Sequence, residues 1–340
     1  MVGGGRLASL LRFALAIAWF KLSEHLAAVS AQGLAPLAGG EDFFELIQVC
    51  LLLFLLIIGY GYMGLAFDRQ PQPLRAMGLG RRPGWGREFG VGAAVGWGAA
   101  LAVVVVIVLA ARLRIEFWIE PRAFWLLGVD LSVLAVSSLA QEVAFRGYAF
   151  QRLIEAIGPT LATILMACLL GAAQLANSDA TGDSVLVAMI ASILFSVAYL
   201  RTRALWLPWG MHFAWNAAIA VLFGLPLGGV LNYATVVQGR ALGARWLTGG
   251  SYGPQGSLVT ACALVGALVA LVMATREYAW KYAQPVIVAG GIAVDVAPPP
   301  AHVAMETASD AASRPPQLVQ IGAPAAQGAL PTKTVVPAPE

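Results

Sequence analysis

Long apolar stretches separated by short polar loops make up most of the chain as far as residue 275. About 20 apolar residues in a helix cross the hydrocarbon layer of a membrane, so runs of this length predict spanning helices. Seven spans are predicted in this way, and they are residues 43–67, 89–111, 123–156, 159–177, 184–200, 204–224 and 257–274. Residues 284–340 show no apolar period and are rich in Pro, Ala, Val and Gln, which is typical of a disordered tail.

The first apolar segment, residues 7–30, is interrupted by Lys21, Glu24 and His25. It is compatible with a spanning helix, with an interfacial helix, or with a signal peptide that has a small-residue site at residues 29–31. If it spans, the fold class is an all-α polytopic membrane bundle of about eight transmembrane helices with both chain termini in the cytoplasm.

Four regions follow from this pattern. They are an N-terminal helix and loop (1–42), spans two and three with a basic loop between them (43–122), a helical core (123–275), and a disordered tail (276–340). The loop at residues 68–88 carries five arginines against one aspartate and one glutamate, so the positive-inside rule places it in the cytoplasm.

Composition supports a membrane protein and argues against several other classes. The chain is 59% hydrophobic and 11% charged, with a mean hydropathy of +0.76, which would leave a soluble domain with too much apolar surface. A net charge of +3 from scattered arginines predicts no nucleic-acid partner. The three cysteines lie in separate apolar runs without a CxxC pair, so neither a disulfide framework nor a zinc ribbon is predicted.

A few polar side chains interrupt the predicted spans of the core, and their spacing is helical. Glu142 and Arg146 are four residues apart, as are His212 and Asn216, so each pair shares one helix face. Together with Gln141 and Gln174, these are the six candidate site residues of a predicted pocket around Glu142. Charged groups at membrane depth are costly, and they mark either a functional site or a structural ion pair.

The spacing alone is compatible with both interpretations. In the structural one, Glu142 and Arg146 form an ion pair within one helix, His212 is a core histidine, and the carboxamides join helices by hydrogen bonds. A metal centre is disfavoured because a catalytic zinc needs about three ligands, and Glu142 and His212 supply two. The sequence therefore predicts no cofactor and no metal.

The order of the polar motifs resembles the CPBP family of intramembrane proteases, which includes CAAX prenyl proteases and bacteriocin-processing enzymes. The family pattern is Glu-Glu-x-x-x-Arg, then an apolar segment ending in His, then His-x-x-x-Asn. The corresponding segments here are QEVAFR (141–146), LGAAQ (170–174) and HFAWN (212–216). The loop WLTGGSYGPQGSL (246–258) is similar to an element of many bacterial members, and the resemblance covers about residues 75–275.

The resemblance implies roles and shows departures. In the family, the first glutamate and the second-motif histidine activate the attacking water, and these positions are Gln141 and Gln174 here. The resemblance implies that His212 and Asn216 hold the oxyanion, whereas Glu142 and Arg146 orient the site. It also implies a bacterial inner-membrane protein with membrane lipid around it and a transmembrane or lipidated peptide as substrate.

A carboxamide lacks the basicity of a carboxylate, so the substitutions predict impaired hydrolysis. Glu142 is a possible replacement base, although adjacent helix positions point about 100° apart, so this requires a shifted helix or a bridging water. The alternative function is a non-catalytic pseudoprotease that binds or regulates membrane or lipidated peptides. A transporter is less favoured, because the chain shows no inverted repeat.

Overall fold

The computed structural model of the chain is mostly helical, and it describes residues 2–38, 40–177, 179–231 and 233–276. The helices in chain order are α1 Val2–Leu34, α2 Phe44–Asp68, α3 Pro73–Ala76, α4 Trp85–Ala110, α5 Pro121–Arg146, α6 Tyr148–Ile157, α7 Pro159–Gln174, α8 Gly182–Thr202, α9 Trp206–Asn216, α10 Arg245–Thr248 and α11 Leu258–Ala274. Short 3-10 and π segments lie between some of them. The prediction of a mostly helical fold is confirmed, and several helices are candidates for membrane spans. The predicted disordered tail lies outside the described residues apart from Arg276.

The predicted count of eight spans is not confirmed. Within the described part of the chain, four helical stretches are long and apolar enough to cross a membrane, and they are Phe44–Asp68, Trp85–Ala110, Pro121–Ile157 and Gly182–Thr202. Helices α7 and α11 have 16 and 17 residues. At a rise of about 1.5 Å per residue, each is shorter than a hydrocarbon layer of about 30 Å. Helix α9 is shorter still, with 11 residues.

The segment predicted as one long span, residues 123–156, is two helices that meet at Gly147. Helix α5 ends at Arg146 and α6 begins at Tyr148. A Cβ atom on Gly147 would lie 2.4 Å from the carbonyl oxygen of Val143, so any side chain there would clash with the preceding turn. The break comes directly after Arg146, so Glu142 and Arg146 lie in the last turn and a half of α5.

Two strands make the all-α prediction wrong in detail. β1 (Arg112–Phe117) and β2 (Val237–Leu242) form an antiparallel ribbon in which Arg114 pairs with Arg240. Both segments were predicted as loops. The alternation of polar and apolar residues in RLRIEF has the two-residue period of a strand, but its partner lies more than 100 residues away in the chain.

Helices α4 and α9 pack closely because glycines occupy their interface. Cβ atoms built on Gly92, Gly96 and Gly210 would lie 2.1–2.2 Å from backbone oxygens of the opposite helix. Small residues allow such close backbone approach in membrane bundles. The contact matters for function because α9 carries His212 and Asn216.

We expect Gly96→Ala to lower the thermal unfolding temperature, because its methyl group would meet the Met211 carbonyl oxygen at 2.1 Å. Overpacking of this kind costs about 1–3 kcal/mol. Gly98→Ala on the same helix is the matched control, since nothing lies within 4 Å of a Cβ there. Equal unfolding temperatures of the two variants in detergent would contradict the described packing.

Helix α1 belongs to the bundle and packs against α2 and α6. Arg12 of α1 and Arg152 of α6 both bind the Asp68 carboxylate, at 2.7 and 2.8 Å. These ion pairs join the first segment to the end of α2 and to the helix that follows the Gly147 break.

Candidate active site

Polar side chains from α5, α7 and α9 meet at one cavity of about 380 Å³. Its lining includes five of the six predicted site residues, which are Gln141, Arg146, Gln174, His212 and Asn216. Helix α8, α11 and the loop after α9 complete the wall. The residues are distant in the sequence, and the packing of their helices brings them together.

The sixth predicted residue, Glu142, lies behind the cavity wall and is fully buried. Its Oε1 atom is 2.8 Å from Nδ1 of His212 and 3.6 Å from Nη1 of Arg146. Its Oε2 atom makes no hydrogen bond to any described residue. The pocket therefore lies beside Glu142 and does not expose its carboxylate, because the side chain of Gln141 takes the cavity-facing position.

Arg146 is held by α8 as well as by Glu142. Its Nη2 atom donates to the carbonyl oxygen of Ser192 at 3.2 Å and to the Ser192 hydroxyl at 3.3 Å. The guanidinium lies 5.3 Å from the centre of the Phe195 ring. That ring also stacks on the imidazole of His212, with centroids 4.9 Å apart and planes 18° from parallel. Both side chains that contact the Glu142 carboxylate, Arg146 and His212, thus also contact Phe195, which restricts how each can turn.

Gln174 is part of a hydrogen-bonded network of polar side chains. Its Oε1 atom accepts hydrogen bonds from the Tyr252 hydroxyl at 2.8 Å and from Nδ2 of Asn177 at 2.6 Å. Tyr252 belongs to the loop that resembles the TGG element of bacterial members. This loop is therefore fastened to the cavity wall through Gln174.

Asn216 lies one turn after His212 on α9. Its Nδ2 atom donates a hydrogen bond to the Ser138 hydroxyl at 3.4 Å, and a carboxamide nitrogen has a second hydrogen to offer. The α-helical geometry ends at Asn216, and a π-helical segment, Ala217–Leu222, follows. Such π segments are frequent at functional sites.

Sequence reasoning did not identify several residues that hold the site in place. Ser138 is four residues before Glu142, so its place on the same face of α5 could have been found from helical spacing. Asn177 is three residues after Gln174. The contributions of Ser192 and Phe195 depend on long-range packing and left no local signal, whereas Tyr252 lies in the loop 246–258 that the motif resemblance includes.

The arrangement offers hydrogen-bond donors, an oriented imidazole and neutral carboxamides around a space large enough for a peptide segment. Among the described residues, no group of three or more His, Cys, Asp or Glu side chains converges as a metal site would require. The polar groups suit acyl chemistry, since they place an imidazole and an amide donor one helical turn apart at the same wall.

Residues 122–218 match a family model described as Type II CAAX prenyl endopeptidase Rce1-like. The match covers less than a third of the chain, and residues 122–218 are similar to an Rce1-like type II CAAX prenyl endopeptidase domain, consistent with a CPBP family protease. The matched residues contain all six predicted site residues. With the apolar helices, the match suggests a multi-pass membrane protein. Neither the curated proteins nor the solved structures gave a match.

Proposed function

We propose that the chain is a CPBP-type intramembrane endopeptidase homologue that holds a peptide in the cavity and hydrolyses it poorly. One observation carries this proposal: five of the six family-motif positions line a single cavity, and both positions expected to activate water are glutamines. The chain therefore keeps a cavity and hydrogen-bond donors that can bind a peptide. It lacks proton acceptors at the two positions where the family resemblance places them.

The impairment follows from the chemistry of the carboxamide. Peptide hydrolysis near neutral pH needs a group that takes a proton from water, and a carboxamide is not such a base. Loss of a general base costs about 10²–10⁴ in rate. Asn216 is retained as a donor that would stabilise the oxyanion, and His212 keeps an imidazole at the same wall, so part of the acceleration survives.

We further propose a transmembrane or lipidated peptide as the bound molecule and a bacterial inner membrane as the location, with the tail in the cytoplasm. The family-model match to CAAX prenyl endopeptidases supports the lipidated peptide. The apolar helices around the cavity support a ligand that arrives from within the bilayer.

A second candidate function is a non-catalytic binding or regulatory protein. The hydrogen bonds of Gln174 favour it, because Tyr252 and Asn177 both donate to its carbonyl oxygen. Through these bonds Gln174, where the family resemblance places a histidine, holds the cavity wall together. Such a protein would hold the peptide without cleaving it.

Peptide binding tests both candidates, and a cavity-filling variant makes the test specific. We expect a fluorescent lipidated peptide to bind the purified protein in detergent, and Ala191→Trp to weaken binding at least about tenfold because an indole would occupy the cavity that Ala191 lines. Ala172→Trp on the exposed side of α7 is the matched control and should bind normally. Fluorescence anisotropy measures the affinity.

Product analysis by mass spectrometry, with enzyme in excess over peptide, completes the experiment. Slow cleavage supports the impaired endopeptidase, and binding without any cleavage supports the non-catalytic candidate. Equal affinities of the two tryptophan variants, or rapid cleavage by the unmodified protein, would contradict the proposal.

A further inference from the structure

Glu142 and His212 form a carboxylate–imidazole pair with a directed geometry. Glu142 is fully buried, and its Oε1 atom lies 2.8 Å from Nδ1 of His212. A carboxylate only accepts hydrogen bonds, so Nδ1 carries the proton in this contact. In the neutral imidazole the lone pair then resides on Nε2, the ring nitrogen that does not face Glu142.

The environment keeps this pair in one orientation. The imidazole stacks on Phe195, and Nη1 of Arg146 lies 3.6 Å from the same Glu142 oxygen, so both groups are held beside the carboxylate. His212 lines the cavity, whereas Glu142 does not. An orienting carboxylate behind a cavity-facing imidazole is the arrangement by which hydrolases prepare a histidine for proton transfer.

We propose that His212, oriented by Glu142, is the proton acceptor of this chain and supplies the slow hydrolysis that remains after replacement of the two water-activating positions. This inference rests on the proposed function. It assigns the base to His212 and makes Glu142 a positioning residue, because Glu142 is too deeply buried to reach a water in the cavity.

The step balances without any further reactant. A water in the cavity gives a proton to Nε2 of His212 while its oxygen bonds to the peptide carbonyl carbon, and the carbonyl electrons move to oxygen. Asn216 lines the same cavity, and its second N–H donates to that oxyanion. Collapse breaks the C–N bond, and the proton on Nε2 passes to the departing amine. One water is consumed, and a carboxylic acid and an amine are produced.

The neutral side chains at the replaced positions suit this role. Gln141 lines the cavity and can accept and donate hydrogen bonds, so it can hold a water without taking its proton. Gln174 has its carbonyl oxygen occupied by Tyr252 and Asn177, which leaves its amide hydrogens for the cavity. Both residues then position the water while His212 accepts the proton.

The direction of the pH dependence separates a base from an oxyanion donor. With Nδ1–H committed to Glu142, Nε2 accepts a proton only in the neutral imidazole and donates a hydrogen bond only in the imidazolium. Helices α4, α5 and α8 pack against the helix that carries His212. From α5, Glu142 and, beyond it, Arg146 face His212, whereas α8 presents the uncharged ring of Phe195. The charged residues of α4, Arg87 and Glu88, lie in the first turn of α4. The cleavage rate should therefore rise with pH where histidine titrates, between about pH 5 and 8.

The experiment measures single-turnover cleavage of a bound peptide by the full chain across that pH range. We expect His212→Gln to lower the rate at least about 10²-fold. We expect Glu142→Gln to lower it at least about tenfold, because a carboxamide N–H can donate to Nδ1 and move the imidazole proton to Nε2. The matched controls are His25→Gln and Glu24→Gln on α1, which does not line the cavity, and both should cleave at the unmodified rate.

Fluorescence anisotropy measures the peptide affinity of every variant. A variant that loses cleavage but keeps its affinity bears on the role of His212, whereas a variant that loses affinity bears on peptide binding. A rate that falls with rising pH, or a Glu142→Gln variant that cleaves as well as the unmodified chain, would assign His212 to the oxyanion and overturn the proposal. Binding with no cleavage by the unmodified chain would overturn it as well. Loss of peptide binding by the unmodified chain would instead contradict the proposed function.

Discussion

Replacing Gln141 by Glu together with Gln174 by His should raise the rate of peptide cleavage by about 10²–10⁴-fold. The reason is that Gln141 and Gln174 already line the cavity beside His212, so the new carboxylate and imidazole would stand next to the same water. Glutamate has nearly the shape of glutamine, and a histidine at 174 keeps a nitrogen that can accept from the Tyr252 hydroxyl. The measurement is single-turnover cleavage of a peptide that the protein binds.

Single variants and a matched substitution make this result specific. Gln141→Glu alone should gain less than the double variant, because the two groups act on one proton transfer. Gln238→Glu, on the exposed side of β2 and outside the cavity lining, adds the same charge without a catalytic effect. A double variant that folds and binds peptide but gains no cleavage would favour the non-catalytic function.

The second large effect concerns stability. Arg146→Met should lower the free energy of unfolding by about 3–5 kcal/mol, because it leaves the buried Glu142 carboxylate without its cationic partner. The variant also removes the two hydrogen bonds to Ser192 that join α5 to α8. Thermal unfolding in detergent measures the change.

The double variant Arg146→Met with Glu142→Gln should recover a large part of the loss, since no unpaired charge is left behind. Arg122→Met is the matched control, because Arg122 forms a solvent-exposed ion pair with Asp42 at 3.1 Å, and exposed pairs contribute little. An unfolding temperature unchanged in Arg146→Met would mean that Glu142 is not a buried anion.

The helices and the shared faces of the site were predictable because they depend on local spacing. Residues four apart lie about one helical turn from each other, so each pair shares a helix face. In the structure Glu142 and Arg146 form an ion pair, and His212 and Asn216 both line the cavity. The 100° offset between adjacent helix positions explains why Gln141 faces the cavity while Glu142 faces α9.

Other features depend on partners that are distant in the chain and could not be predicted. The ribbon joins residues 112–117 to 237–242, and the Tyr252 loop closes on Gln174, with no local pattern that names either partner. The Gly147 break was hidden because a glycine within an apolar helix is often tolerated. Here its close approach to the Val143 carbonyl ends α5.

We expect the cavity, which residues of separate helices line, to be open to water and to receive the peptide. The most direct test is labelling of single cysteines by a charged, water-soluble thiol reagent, on a background in which Cys50, Cys168 and Cys262 are replaced by alanine. Gln141→Cys and Gln174→Cys should react, and bound peptide should slow both reactions, whereas Leu169→Cys on the exposed apolar side of α7 should not react. Absence of labelling at positions 141 and 174, or labelling that peptide leaves unchanged, would contradict a shared peptide-binding cavity.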